Sequence, residues 1–193
     1  MTKTSAEVAN LFGGYAGPPG NAGESVYPGY PGYVMADGRV RQMAWGFPLA
    51  LKGKNGQPLK PKPVNNARTD KLDSGFWKPS FHARRCLIPV SEFAEAEGNP
   101  GAETRTWFSL PDHEIFAVAG IWRDTAEWGP TYSMIMTDAC RHVADVHDRM
   151  PVILHRDSWS DWLEGGAEAA RLLCQPFAAE MTVRRTADAW VQR

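Results

Sequence analysis

The chain has 193 residues, of which 43% are hydrophobic, and carries a formal net charge of −1 at neutral pH. That suits one large domain with a substantial core. It excludes a membrane-spanning class, because no apolar run is long enough and the start lacks the basic-then-apolar build of a signal peptide.

Taken in order, Thr4-Ser5-Ala6-Glu7 reads as a helix start, with Val8, Leu11 and Phe12 on its apolar face and Gly13-Gly14 as its stop. Residues 13–32 are rich in Gly, Pro and Tyr and should be irregular. Gly32–Met35 and Arg39–Phe47, joined by a turn at 36–38, form a hairpin. Residues 48–63 read as a basic loop, and 65–70 show no clear periodicity.

From Arg84 onward the pattern is strand-like. Strands are expected at 85–90, 104–110, 114–122 and 131–137, with Glu95 in a turn after the first of them. Asp138 can cap a helical turn over 139–145, and residues 151–154 form a buried strand. A helix capped by Asp157 presents Trp159, Trp162 and Leu163, ends at Gly165-Gly166, and is followed by a short helix over 167–173 and a last strand at 181–184. Strands dominate the middle, short helices sit near the ends, and no regular βαβ alternation appears. The expected fold is therefore α+β: a mixed, mainly antiparallel, barrel-like sheet with short peripheral helices, in a single domain over 1–193.

Cys86, Cys140 and Cys174 are an odd number without CxxC spacing, which speaks against a disulfide frame or zinc site and for a reducing compartment. Five histidines without clustered ligand spacing give no reason to expect a metal, and no organic cofactor is expected either.

Charge is unevenly spread. Residues 39–85 hold eleven Lys/Arg against Asp70 and Asp73, a net +9, which leaves −10 for the remainder. Trp45, Phe47, Phe76, Trp77 and Phe81 lie among these cations. Cations that pair phosphates beside aromatics that stack bases are what a single-stranded nucleic acid needs. A solvated loop beside ordinary core aromatics fits the same pattern.

His147-Asp148-Arg149 stand on the turn that feeds the 151–154 strand, so a rigid scaffold aims a base, a carboxylate and a guanidinium together. Partial burial of Glu95 in an apolar setting would raise its pKa and make it a proton shuttle. Asn66 offers a donor and an acceptor that can fix an aldehyde or amide oxygen. Arg68 suits bidentate phosphate binding. Each also has a bland reading: a turn asparagine, a surface ion pair, a solvated acid, an Asp148–Arg149 pair.

Six motifs then recur in one order: Trp45-Gly46, Asn66-Ala67-Arg68, Arg85-Cys86-Leu87-Ile88-Pro89 with Phe93-x-Glu95, Ala119-Gly120-Ile121-Trp122, Thr137-Asp138-Ala139, and His147-Asp148-Arg149-Met150-Pro151. Over about residues 33–165 this resembles the SRAP family (SOS response-associated peptidases, abasic-site processing proteins). The resemblance implies a mixed barrel-like fold, binding to single-stranded DNA, and covalent capture of abasic-site DNA. In the family an N-terminal cysteine, exposed by removal of the initiator Met, condenses with the open deoxyribose aldehyde to a thiazolidine. By match, Asn66 would hold the N-terminus and sugar, and Glu95 would move protons, including during Met removal. His147 would open the sugar ring or assist Schiff-base chemistry. Arg68 would bind a flanking phosphate, with Trp45, Phe76, Trp77, Arg84, Arg85 and Arg149 completing the DNA contacts. A cytoplasmic location, on the nucleoid when DNA is bound, goes with that role.

Two departures stand out. Ala94 and Ala96 occupy places where the family usually has aromatics. The chain also begins Met1-Thr2-Lys3-Thr4, where the family begins Met-Cys. Either the sequence starts at an internal Met, which the retained Asn66, Glu95 and His147 favour, or the nucleophile is lost and a DNA-binding module remains. Thr2 is a poor substitute nucleophile. A cysteine hydrolase built on Cys140 and His147 is a further alternative.

Overall fold

The computed structural model describes residues 4–18, 23 and 25–191. Helix α1, Ser5–Phe12, begins with a reciprocal capping box between Thr4 and Glu7 and ends at Gly13 in the left-handed conformation. The strands that follow are β1 Pro31–Ala36, β2 Arg39–Trp45, β3 Phe47–Lys52, β4 Pro58–Val64 and β5 Asn66–Arg68. Helix α2, Lys78–Ala83, precedes β6 Arg85–Val90, β7 Phe93–Glu97, β8 Thr104–Ser109, β9 Phe116–Thr125 and β10 Gly129–Asp138. After β11 Arg149–Pro151 and β12 Ile153–Leu154 come α3 Trp159–Glu164, α4 Ala167–Leu172 and β13 Thr182–Ala189.

The main sheet closes on itself. β10 pairs β2, β2 pairs β1, β1 pairs β6, β6 pairs β9, and β9 returns to β10. β1–β2, β1–β6, β6–β9 and β9–β10 are antiparallel, whereas β10–β2 is parallel. β5 adds to β10 in parallel and β11 adds to its far end antiparallel. A second sheet runs β13-β8-β7, and β3 with β4 make a separate two-stranded ribbon.

Alternation along the strands produces two cores. On one face Val34, Cys86, Ile88, Phe116, Val118, Met134 and Met136 pack with Phe93 and Phe108 of the second sheet. On the other, Met35, Leu87, Ala117, Ala119, Ile121 and Ile135 pack under Val8 of α1, Phe81 of α2 and Trp162 of α3. Arg85 and Trp162 pin α3 to β6: Arg85 donates to the carbonyls of Trp162, Gly165, Phe81 and His82, while the Trp162 indole N–H donates to the Cys86 carbonyl at 2.9 Å.

Several expectations change here. Residues 48–63 are not a loop but most of the β3–β4 ribbon, in which Leu49 faces Lys62 and Leu51 faces Leu59. Prolines and lysines at alternate positions hide the usual apolar alternation of a strand. Glu95 is not in a turn; it lies in β7 opposite Thr106 of β8. Asp157 does not cap α3, whose N-terminus is preceded by a short 3-10 turn over Arg156–Ser158. The last strand runs on to Ala189 rather than stopping at 184. Among the described residues no helix is long and apolar enough to cross a membrane.

Candidate functional site: a cleft between the barrel and the second sheet

Segments far apart in sequence line one cavity of about 800 Å³. Trp45, Asn65 and Asn66 come from the β2 end and β5, Met134 and Met136 from β10, Phe93–Glu95 from β7, and Arg105 and Trp107 from β8. Val8 of α1 and Tyr27 of the irregular segment also border it.

Backbone pairing holds Asn66 in place. β5 pairs in register with Met134–Met136 of β10, so the amide of Asn66 stands at a fixed height beside Met134. The Asn65 carbonyl accepts from the Met134 N–H at 2.9 Å and from the Trp45 indole N–H at 3.0 Å. Trp45 itself lies parallel to Tyr132, with ring centroids 6.5 Å apart. Gly46, at φ 120°, makes the bend that follows; a Cβ there would stand 2.7 Å from Pro63.

Glu95 is the most perturbed acid. Burial pushes its carboxyl up to about 7; His147 lowers it, and Asp148 raises it. The imidazole is therefore close enough to act on the carboxyl electrostatically, although 51 positions of chain separate them. His147 is oriented by its own turn: its Nδ1 lies 3.1 Å from the Arg149 N–H and 3.5 Å from Asp148 Oδ1. The same Nδ1 lies 3.0 Å from the Arg149 carbonyl, so the turn offers that nitrogen both a donor and an acceptor.

Arg68 forms a bidentate pair with Asp70, Nε to Oδ1 at 2.9 Å and Nη2 to Oδ2 at 2.7 Å. The pair lowers the Asp70 pKa and raises that of Arg68. Arg149 lies 4.0 Å from both Asp70 and Asp148. Arg68, Asp70, Asp148, Arg149 and His147 thus form one linked polar rim, and none of the five lines the cavity itself. Asp70 is the member that sequence reasoning missed as a partner, and its signal was proximity, two residues beyond Arg68.

The remaining candidates do not belong to this rim. Arg85 is 7% exposed and fully engaged with backbone carbonyls, which corrects its assignment to phosphate. Trp77 is 6% exposed and packs against Phe47 and Phe76, so it offers no open face to a base. Phe76 is half-buried under Arg123, whose guanidinium sits 4.5 Å from its ring centre. Arg84 is exposed but does not line the cavity.

The cysteines are poor nucleophiles. All three are buried. Burial pushes Cys86 far up and Cys174 to about 11. The Cys140 thiol faces the Met181 sulfur at 3.7 Å, whereas His147 Nδ1 is occupied at Arg149, so a Cys140–His147 dyad is not assembled. Alkylation with iodoacetamide under native conditions should therefore leave Cys140 unlabelled; labelling that is fast and quenched by His147→Ala would restore the dyad. Thr2 lies outside the described residues.

The family model described as SOS response associated peptidase (SRAP) matches residues 4–191. The chain belongs to the SRAP family. It is similar to the abasic site processing protein YoqW of Bacillus subtilis, 30% identical over 164 residues that cover 76% of this chain and 70% of YoqW. The abasic site processing protein HMCES of Gallus gallus is 25% identical over 71% of this chain, and the chain spans about half of that relative. Among solved structures, a Bordetella bronchiseptica protein superposes with a TM-score of 0.77 at 20% identity, over 93% of this chain and 94% of that one. A Bacteroides thetaiotaomicron protein gives 0.73 at 19% identity, over 96% and 89%. These two establish the fold.

Within the SRAP frame Ala94 stands directly across from Trp107 of β8 and Ala96 across from Arg105, both on the sheet face opposite to that of Glu95.

Proposed function

We propose that this SRAP protein binds single-stranded DNA and processes abasic sites in the cleft between Asn66 and Glu95. One observation carries the reading. A carboxyl held near neutrality by burial feels a neighbouring imidazole, and it shares a cavity with an amide that can hold a sugar oxygen. Such a carboxyl can give and take one proton around pH 7, which general acid–base chemistry requires. Ring opening of an abasic deoxyribose needs that traffic: a proton leaves the C1′ hydroxyl and another reaches the ring oxygen. Condensation needs it again. An amine adds to the C1′ aldehyde, water leaves as the imine forms, and a thiol adding across the C=N bond closes a thiazolidine.

The amine and thiol belong, in this reading, to an N-terminal cysteine ahead of the α1 helix. Val8 of that helix borders the cavity. Initiator Met removal by the same Glu95 is part of the proposal. With the Met-Cys start present, the protein should form a denaturation-resistant adduct on single-stranded abasic DNA that Cys→Ala abolishes. Absence of an adduct from the cysteine-bearing chain would refute covalent capture.

A second reading is favoured by the burial of Cys86, Cys140 and Cys174. The protein then acts as a damaged-DNA-binding module that makes no bond through these cysteines. In both readings Arg68 leaves Asp70 for a DNA phosphate. Arg68→Ala should weaken binding several-fold and reduce the slope of log K against log salt by about 0.7, the value for one phosphate contact on a single strand. An unchanged slope in a salt titration by fluorescence anisotropy would keep Arg68 with Asp70.

A further inference from the structure

The β3–β4 ribbon has features that the cleft does not explain. It rises directly from the cavity wall, since Trp45 precedes β3, Asn65 follows β4, and both line the cavity. Beyond Phe47, none of its residues through Val64 is buried. Lys52, Lys54, Lys60 and Lys62 are exposed, and no acid occurs anywhere between residues 38 and 69. None of these four lysines forms an ion pair within the described residues. Lysines often guard a ribbon's edges against pairing with other chains, but Pro48, Pro58, Pro61 and Pro63 already interrupt those edges. Four unneutralised ammonium groups on an arm with no buried residue beyond Phe47 call for an anionic partner.

We infer that the Phe47–Val64 ribbon is a basic arm that holds the sugar-phosphate backbone of the DNA running out of the cleft. The inference rests on the reading of the cleft as a DNA site. Charge complementarity and continuity with the cleft wall point to the same occupant. Seven-residue β4 spans roughly 20 Å, so the arm reaches nucleotides well beyond the one in the cleft. The ammonium groups act there as point charges that release counterions, without reading bases. They should set affinity and salt dependence on long DNA and leave recognition of the abasic nucleotide alone.

The test compares Lys52, Lys54, Lys60 and Lys62 all replaced by Gln with the wild type, using circular dichroism to check folding. A matching Lys→Arg set keeps the charge. Probes are single strands with a central tetrahydrofuran abasic analogue, about seven or about twenty-five nucleotides long, and a third whose flanks are duplex. Expected results are unchanged affinity for the short probe and about tenfold weaker binding to a long probe at low salt. The salt slope should fall by about 2, and the Arg set should behave like wild type. A loss on single-stranded flanks, duplex flanks or both supports the arm and says which form of backbone it holds. Equal affinities of variant and wild type for every long probe overturn the arm and leave the cleft reading intact. An equal loss on short and long probes overturns it too, because the lysines then act at the cleft. Failure of the wild type to bind any probe removes the cleft reading, and the arm with it.

Discussion

Glu95→Gln should abolish a fall in stability between pH 4.5 and 7 that the wild-type protein shows. The free carboxyl titrates near 4.5 and the folded one near 7. Between those values the folded state holds a proton that the unfolded state has released, so raising the pH favours unfolding. The destabilisation is absent below about 4.5, grows across that window, and is complete above about 7. A gap of roughly 2.5 pH units corresponds to roughly 3 kcal/mol, an upper figure because the cavity admits water. Gln keeps the shape and removes the charge, so the variant should be the more stable protein at pH 8 and match the wild type near pH 4.5. Urea denaturation at the two pH values measures both quantities. In a chain with the Met-Cys start, the same change should slow adduct formation by about 10²-fold, the usual contribution of a positioned acid–base group. Greater stability with lower activity is the signature of a group held in an unfavourable state for function. A variant that is both less stable and less active would make Glu95 a structural residue.

Arg85→Met should have the largest effect on stability, about 3–5 kcal/mol, with little change in DNA binding under native conditions. The guanidinium is buried, and burial lowers its pKa. It survives there because its N–H groups reach carbonyls from α2 and from Trp162 and Gly165, at 2.7 Å for Phe81 and 3.2 Å for His82. Met can fill the volume but leaves those carbonyls without donors, each at a cost of about 1–3 kcal/mol unless water enters. Lys should not rescue, since one ammonium cannot reach carbonyls spread across two elements. Denaturant melts of the three proteins check this. Loss of DNA affinity at unchanged stability would return Arg85 to the phosphate contacts.

These two residues mark what the sequence could reveal. β9 and β10 were visible because their alternating apolar residues face two cores and obey a period of two. The ordered motifs point to Asn66, Glu95 and His147. Burial of a charge was not visible. Arg85 looks like any member of a basic segment, and its partners Trp162 and Gly165 lie 77 and 80 residues away. The same blindness made Trp77 a stacking surface, when Phe47 and Phe76 cover it. The β3–β4 ribbon was hidden for a different reason: its strands carry Pro and Lys where apolar residues normally signal a strand, because beyond Phe47 none of its residues is buried. Thr106 could be placed opposite Glu95 only through the register of β7 on β8.

The cleft itself is best tested by solution NMR on this 21.4 kDa chain, titrated with a single-stranded oligonucleotide containing one tetrahydrofuran abasic analogue. The account predicts that the largest amide shifts cluster at Asn66, Arg68, Glu95 and His147, and that the undamaged oligonucleotide moves Asn66 and Glu95 much less. Shifts concentrated around α2 and α3, or identical responses to damaged and undamaged strands, would contradict it.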